Sequence, residues 1–198
     1  MRLGVLVSGF GSNLQAIIEA IINKKITNSE IAIVVSNNEE AYALKRAKKY
    51  KLQSEIVCKK NNTDEIFDDI ICEIMKKNKV DLIVMAGFLA IIGKKILIEF
   101  DKKIINVHPS LIPSFCGKGM YGIRVHEEAL KRGVKITGAT VHYVDDTIDG
   151  GKIIFQKTVK VNPNDTPTIL QKRVMKKAEH VILPMAIEKI SNERYFTD

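Results

Sequence analysis

The chain has 198 residues, 45% of them hydrophobic and 27% charged, enough for one domain with a full core; a disordered or fibrous chain is excluded. Its three cysteines lack Cys-x-x-Cys spacing, which excludes a disulfide frame or a zinc site, and no apolar run nears the roughly 20 residues of a membrane span. Net charge is +8, but most lysines fall in helix-like segments such as Lys45-Arg46-Ala47-Lys48-Lys49, as on solvated faces. Anionic small molecules are therefore expected as partners, not nucleic acid.

Met1-Arg2-Leu3-Gly4-Val5 leads straight into a strand pattern without signal-peptide organisation, so the expected location is the cytoplasm. Leu3 to Val7 reads as a buried strand. Ser8-Gly9-Phe10-Gly11-Ser12-Asn13 follows, and then a helix from Leu14 to Ile22. Strand, glycine-rich turn and helix present free backbone N–H groups to an anion at the helix N-terminus. A dinucleotide fingerprint would need a third glycine where Leu14 stands, and an acid where the next strand ends in Ser36-Asn37. The reading is a mononucleotide or sugar-phosphate site; the alternative is a tight turn with no ligand.

A helix is expected from Ala41 to Tyr50, a strand from Ser54 to Val57 and a second helix from Thr63 to Asn78. The buried strand Leu82 to Met85 ends in the apolar loop Ala86 to Ile92. That loop either lines a pocket for a flat aromatic ligand or continues the core into a helix over Lys94 to Phe100.

Ile104-Ile105-Asn106-Val107-His108-Pro109 comes next. Asn106 and His108 share strand parity, so both project from one face where the strand gives way to a loop. An imidazole and a carboxamide there can act as proton donor and oxyanion donor, or merely cap a strand end. The glycine-rich stretch Phe115 to Gly122 is expected to be a mobile loop. Ile123 to Arg132 reads as a helix ended by Gly133, with His126 exposed near its start.

Ile136 to Val144 and Lys152 to Val161 read as a hairpin across Asp145-Asp146-Thr147-Ile148-Asp149-Gly150-Gly151. His142 is expected to be structural or to support the catalytic groups. A long last helix runs from about Pro167 to Ile190, carries Glu179-His180, and should kink at Pro184. The alternation predicts an α/β fold: a Rossmann-like, doubly wound, mostly parallel sheet with a C-terminal β-hairpin and a long final helix. Four dispersed histidines without matching carboxylate spacing predict no metal site.

Ser8-Gly9-x-Gly11-Ser12-Asn13-Leu14-Gln15-Ala16, Ala86-Gly87-Phe88, Asn106-x-His108-Pro109-Ser110-Leu111-x-Pro113, Thr140-Val141-His142 and Asp149-x-Gly151 together resemble the phosphoribosylglycinamide formyltransferase family, folate-dependent enzymes of purine synthesis. The resemblance covers essentially the whole chain and implies a single formyltransferase domain over residues 1–198. It implies Asn106, His108 and Asp149 as the catalytic trio, and Gly11, Ser12 and Asn13 on the substrate phosphate. It places Glu179 near glycinamide ribonucleotide, and Leu89, Ala90, Ile91 and Ile92, with Asn106, on the folate. The implied co-substrate is 10-formyltetrahydrofolate, in a monomer or homodimer bound to neither nucleic acid nor membrane. Two positions depart from the family pattern. Ala90 stands where arginine is common, and Asp64 where some members carry a basic folate contact, for which Lys60 is a candidate substitute.

The chemistry fits the residues. An amine attacking a formyl carbon creates an oxyanion that Asn106 can stabilise, and the folate nitrogen leaves once His108 protonates it. Asp149 would keep His108 charged and oriented. The rival readings are a formyltetrahydrofolate hydrolase, which carries an N-terminal regulatory domain, a methionyl-tRNA formyltransferase, which adds a C-terminal barrel, and a silent phosphoribosyl- or folate-binding module. Neither extra domain is expected here.

Overall fold

A computed structural model of the chain describes residues 1–59 and 62–194. The apolar, β-branched runs form strands: β1 (Arg2–Val7), β2 (Glu30–Ser36), β3 (Ser54–Ile56), β4 (Leu82–Met85), β5 (Ile104–His108), β6 (Ile136–Tyr143) and β7 (Ile153–Lys160). Between and after them lie α1 (Ser12–Ile22), α2 (Tyr42–Lys49), α3 (Asp64–Lys77), α4 (Lys94–Glu99), α5 (Ile123–Arg132), α6 (Pro167–Val174) and α7 (His180–Arg194).

The strands make one sheet in the order β3-β2-β1-β4-β5-β6-β7. β1 to β5 pair in parallel, while β6 and β7 join antiparallel. Helices cover both faces, which is why β1 and β4 read as continuous apolar runs. Alternation along β1 sends Leu3, Val5 and Val7 into one core with α1 and α7, and Leu6 into a second core with α3 and α4. Each such fully buried leucine or valine contributes about 1.5–3 kcal/mol over an exposed one.

Local signals set the helix ends. Thr63 caps α3 by accepting from the Ile66 N–H, and Thr166 caps α6 from Ile169 N–H with Pro167 behind it. Gly133 ends α5 at φ 74°. Among the described residues, no helix is long and apolar enough to cross a membrane.

The last helix departs from expectation. It is not one uniform rod: it widens into a π turn over Met175–Glu179, where His180 N–H bonds the Met175 carbonyl five residues back, and Pro184 lies further on, inside α7. Pro184 has no N–H for the His180 carbonyl and crowds it. The ladder thus lacks a bond in the turn from His180 to Pro184, directly after the wide turn that His180 closes.

The chain runs outward from β1 to β2 and β3, then returns to β4 on the other side of β1. That reversal opens a crevice at the carboxyl ends of β1 and β4, the usual ligand position in open α/β sheets.

Candidate active site

A cavity of about 530 Å³ occupies that crevice, lined by Gly9 to Asn13, by Leu89, Ile91 and Ile92, by Asn106 and His108, and by Asp149 and Glu179. A second hollow of about 640 Å³, between α1 and α7, contains none of the expected site residues and meets the quoted motifs only at Ala16.

The turn after β1 ends at Gly11, whose φ of 72° caps α1 in the left-handed region. The first N–H groups of α1 have no partner within the helix. A Cβ at Gly11 would lie 2.6 Å from the Ala43 Cβ and 2.8 Å from its Cα, so glycine is also demanded by the approach of α2. Asn13 is buried, and its amide donates to Glu179 at 2.8 Å. Its side chain therefore reaches the π turn, while its backbone belongs to the phosphate turn. Burial pushes the Glu179 carboxyl above the usual range, and the Asn13 hydrogen bond pulls it back.

The turn and the 86–92 loop are tied together. Ser8 N–H donates to the Gly87 carbonyl at 3.1 Å, and the Ser8 hydroxyl accepts from Leu89 N–H at 2.7 Å. Leu89 and Ile91 are exposed and line the cavity with buried Ile92. Ala90 is not among the lining residues; it packs half-buried against the α3–α4 core. Asp68 of α3 fixes the loop's end by accepting from Gly93 N–H at 3.0 Å. Lys59 pairs with Asp64 at 3.0 Å and reaches the Ile91 carbonyl at 3.4 Å, which sets a cation beside this loop. Lys60 lies outside the described residues.

His108 is 4% exposed. Its Nε2 faces the Phe115 carbonyl at 2.9 Å, and its Nδ1 faces Asp149 at 3.6 Å. A carbonyl only accepts, so Nε2 carries hydrogen. Asp149 also receives the Gly117 N–H at 2.9 Å. The 115–117 segment thus touches both members of the pair through backbone. Between these contacts the Cys116 thiol, pushed up by burial and then by Asp149, donates to the Pro113 carbonyl.

His142 stands opposite Asn106 in the β5–β6 register. Its Nδ1 donates to the Tyr143 carbonyl at 2.8 Å, which leaves Nε2 to accept from the Asn106 amide at 3.3 Å. One Asn106 N–H is thereby fixed and the second is left for a ligand. Desolvation pushes His142 down, while the Tyr143 carbonyl and Asp149, 3.7 Å from Nε2, pull it up.

Asp149 does not reach His108 from an adjacent strand end. β6 runs antiparallel, and Val144 N–H bonds the Ile104 carbonyl at the start of β5, roughly 13 Å from His108. The hairpin loop must fold back over the sheet. It does so with Asp149 at φ 57° and with Gly151 so near Tyr143 that a Cβ would lie 1.9 Å from its carbonyl oxygen.

His126 reverses the expectation of exposure. It is 0% exposed, lines the cavity, and has no hydrogen-bond partner at either ring nitrogen among the described residues. Burial, then the charge of His108, push it down to about 4. The signal was in the sequence: Val125, His126 and Ala129 form one buried helical face. His142 had a signal too, its parity with Thr140 on a strand pairing with β5.

The formyl transferase family profile matches residues 1–187. Phosphoribosylglycinamide formyltransferase of Haemophilus influenzae is 36% identical over 194 residues, covering 98% of this chain and 88% of that protein. The human trifunctional purine biosynthetic protein adenosine-3 is 36% identical over 192 residues; the match takes in 96% of this chain, which spans only 18% of the human protein's length. The solved structure of glycinamide ribonucleotide transformylase 1 from Symbiobacterium toebii superposes with a TM-score of 0.91 at 35% identity, covering 98% of this chain and 89% of that one. The chain belongs to the formyl transferase family, and within it groups with the phosphoribosylglycinamide formyltransferases.

Proposed function

We propose that this chain is one formyltransferase domain that moves a formyl group from 10-formyltetrahydrofolate to the amine of glycinamide ribonucleotide. The observation that carries the reading is that one cavity joins an N–H-rich turn at Gly11 to Asn13, the Asn106–His108–Asp149 cluster, and the apolar wall of Leu89, Ile91 and Ile92. The turn suits a phosphate. The wall suits a flat pterin, held by loop backbone, and Ala90 serves from behind it. Glu179 accepts from the substrate amine.

The amine lone pair attacks the formyl carbon, a C–N bond forms, and the carbonyl pair moves to oxygen. Asn106 donates to that oxyanion, with His142 fixing its carboxamide. The oxyanion collapses, the bond to the folate nitrogen breaks, and His108 delivers the proton that this nitrogen takes up. The proton lost by the attacking amine restores His108, so the net transfer is from one nitrogen to the other. Asp149 faces Nδ1 and balances the charged ring, so the proton delivered is the one on Nε2, which leaves the Phe115 carbonyl for the folate nitrogen.

A folate absorbance assay with and without glycinamide ribonucleotide tests this. Turnover that needs the ribonucleotide is expected. Turnover without it would make the protein a hydrolase, and no turnover with it would leave a binding module.

A further inference from the structure

We propose that Arg46, on α2 and outside the cavity, is a positioning residue that orients and polarises the phosphate turn. This rests on the reading that residues 11–13 hold a phosphate.

Arg46 Nε donates to the Phe10 carbonyl at 2.9 Å, and its Nη1 donates to the Gln15 side-chain oxygen at 3.0 Å. One guanidinium therefore grips the chain on both sides of the 11–13 segment. Its carbon lies 4.7 Å from the centre of the Phe10 ring and 5.1 Å from that of Tyr42, and the two rings stack at 5.0 Å. Phe10 is 66% exposed, a position that burial does not explain; the stack and the cation hold it there instead.

Arg46 is the charged member of a set. Asn38 donates to the Ser8 carbonyl at 3.4 Å, and Ala43 N–H donates to the Gly9 carbonyl at 3.1 Å. Three successive carbonyls, of Ser8, Gly9 and Phe10, are thus turned toward α2 and the segment before it. Those peptides are trans, so the N–H groups of Gly9, Phe10 and Gly11 point away from α2. Residues 9 to 13 line the cavity, whereas Arg46 does not. Successive N–H groups aimed one way form an anion nest, and here it runs on into the partnerless N–H groups at the start of α1. A cation on the Phe10 carbonyl draws electron density from that peptide and strengthens the Gly11 N–H as a donor. It also adds a positive charge close behind the bound dianion.

The test compares wild type, Arg46→Gln and Arg46→Lys on glycinamide ribonucleotide and on its dephosphorylated riboside, with inorganic phosphate as inhibitor. Circular dichroism and melting confirm the fold of each variant. Arg46→Gln should raise the ribonucleotide KM about tenfold, the scale of one charge-assisted hydrogen bond, and weaken phosphate inhibition in parallel. The folate KM and the riboside kcat/KM should stay within about twofold. Arg46→Lys should fall between, because it restores the charge without the fork that spans Phe10 and Gln15. A folded Arg46→Gln with an unchanged ribonucleotide KM overturns the proposal, as does an equal loss on riboside and ribonucleotide. If wild type itself treats both substrates alike and ignores phosphate, the phosphate reading falls, and the role of Arg46 with it.

Discussion

Asn13 donates to Glu179 at 2.8 Å across 166 residues of sequence, joining the first turn of α1 to the wide turn before α7 in one buried contact. Burial raises the Glu179 carboxyl, so its ionised form costs stability. A carboxyl raised in the folded state contributes fully below its unfolded pKa and loses that contribution as pH rises through the folded one. Glu179→Gln keeps an acceptor for Asn13 and removes the charge. At pH 7.5 its Tm should rise by about 2–4 °C, the shift ~1 kcal/mol produces in a chain of this size. The gain should shrink toward pH 4, and turnover of the ribonucleotide should fall at least about tenfold. Melting curves at both pH values and initial rates decide it; a lower Tm at pH 7.5 would mean the carboxylate is stabilising where it stands.

Asp149→Asn isolates charge from shape. Asparagine tolerates the left-handed backbone at φ 57° and can still accept from Gly117 N–H, so the loop should keep its path. Without the carboxylate, nothing balances a charged His108 at 3.6 Å. The expected result is a loss of roughly 10²–10⁴ in kcat with both KM values little changed, measured on protein of native circular dichroism. Near-normal rates would reduce Asp149 to a turn residue.

His126 predicts a pH dependence of stability with the opposite sign to that of Glu179. Its folded pKa is about 4, below the unfolded value near 6.5, so the unfolded chain takes up the proton first. Stability should fall as pH drops from 6.5 to 4, by on the order of 3 kcal/mol from this group, and level off below. Urea midpoints across that window, for wild type and His126→Gln, give the comparison. The wild type should lose more than the variant; parallel curves would show that His126 is hydrated and titrates normally.

Gly11→Ala should damage folding before binding. The new Cβ meets Ala43 backbone and the φ is left-handed, which together cost about 2 kcal/mol or more. Ala43→Gly removes the 2.6 Å contact but not the 2.8 Å one, so the double variant should recover only part of the loss in thermal melts. Full recovery would show that the backbone strain at Gly11 is negligible.

Much of the fold was legible because it is local. Apolar runs and Gly133 as a helix stop act within a few residues, and strand parity put Asn106 and His108 on one face. What escaped depends on distant partners. The Phe115 carbonyl and the Gly117 N–H touch His108 and Asp149 through main chain, which no residue type announces. The fold-back that brings Asp149 to His108 follows from the antiparallel register of β6. Ala90 was placed on the ligand by position in a motif, and its neighbour in space turned out to be the core.

The wide turn at Met175–Glu179 fits one more residue into a rotation than an α-helix would. Wound as regular α-helix with every residue kept, that turn would let α6 and α7 fuse into a uniform rod, but every later position would then swing by about 100° about the axis. Glu179 would leave the cavity, and the apolar side of α7 would leave the sheet. The two needs cannot both be met by an unbroken 3.6-residue repeat. The surplus residue acts as a phase shifter, which lets one helix answer to a ligand on its first half and to the core on its second.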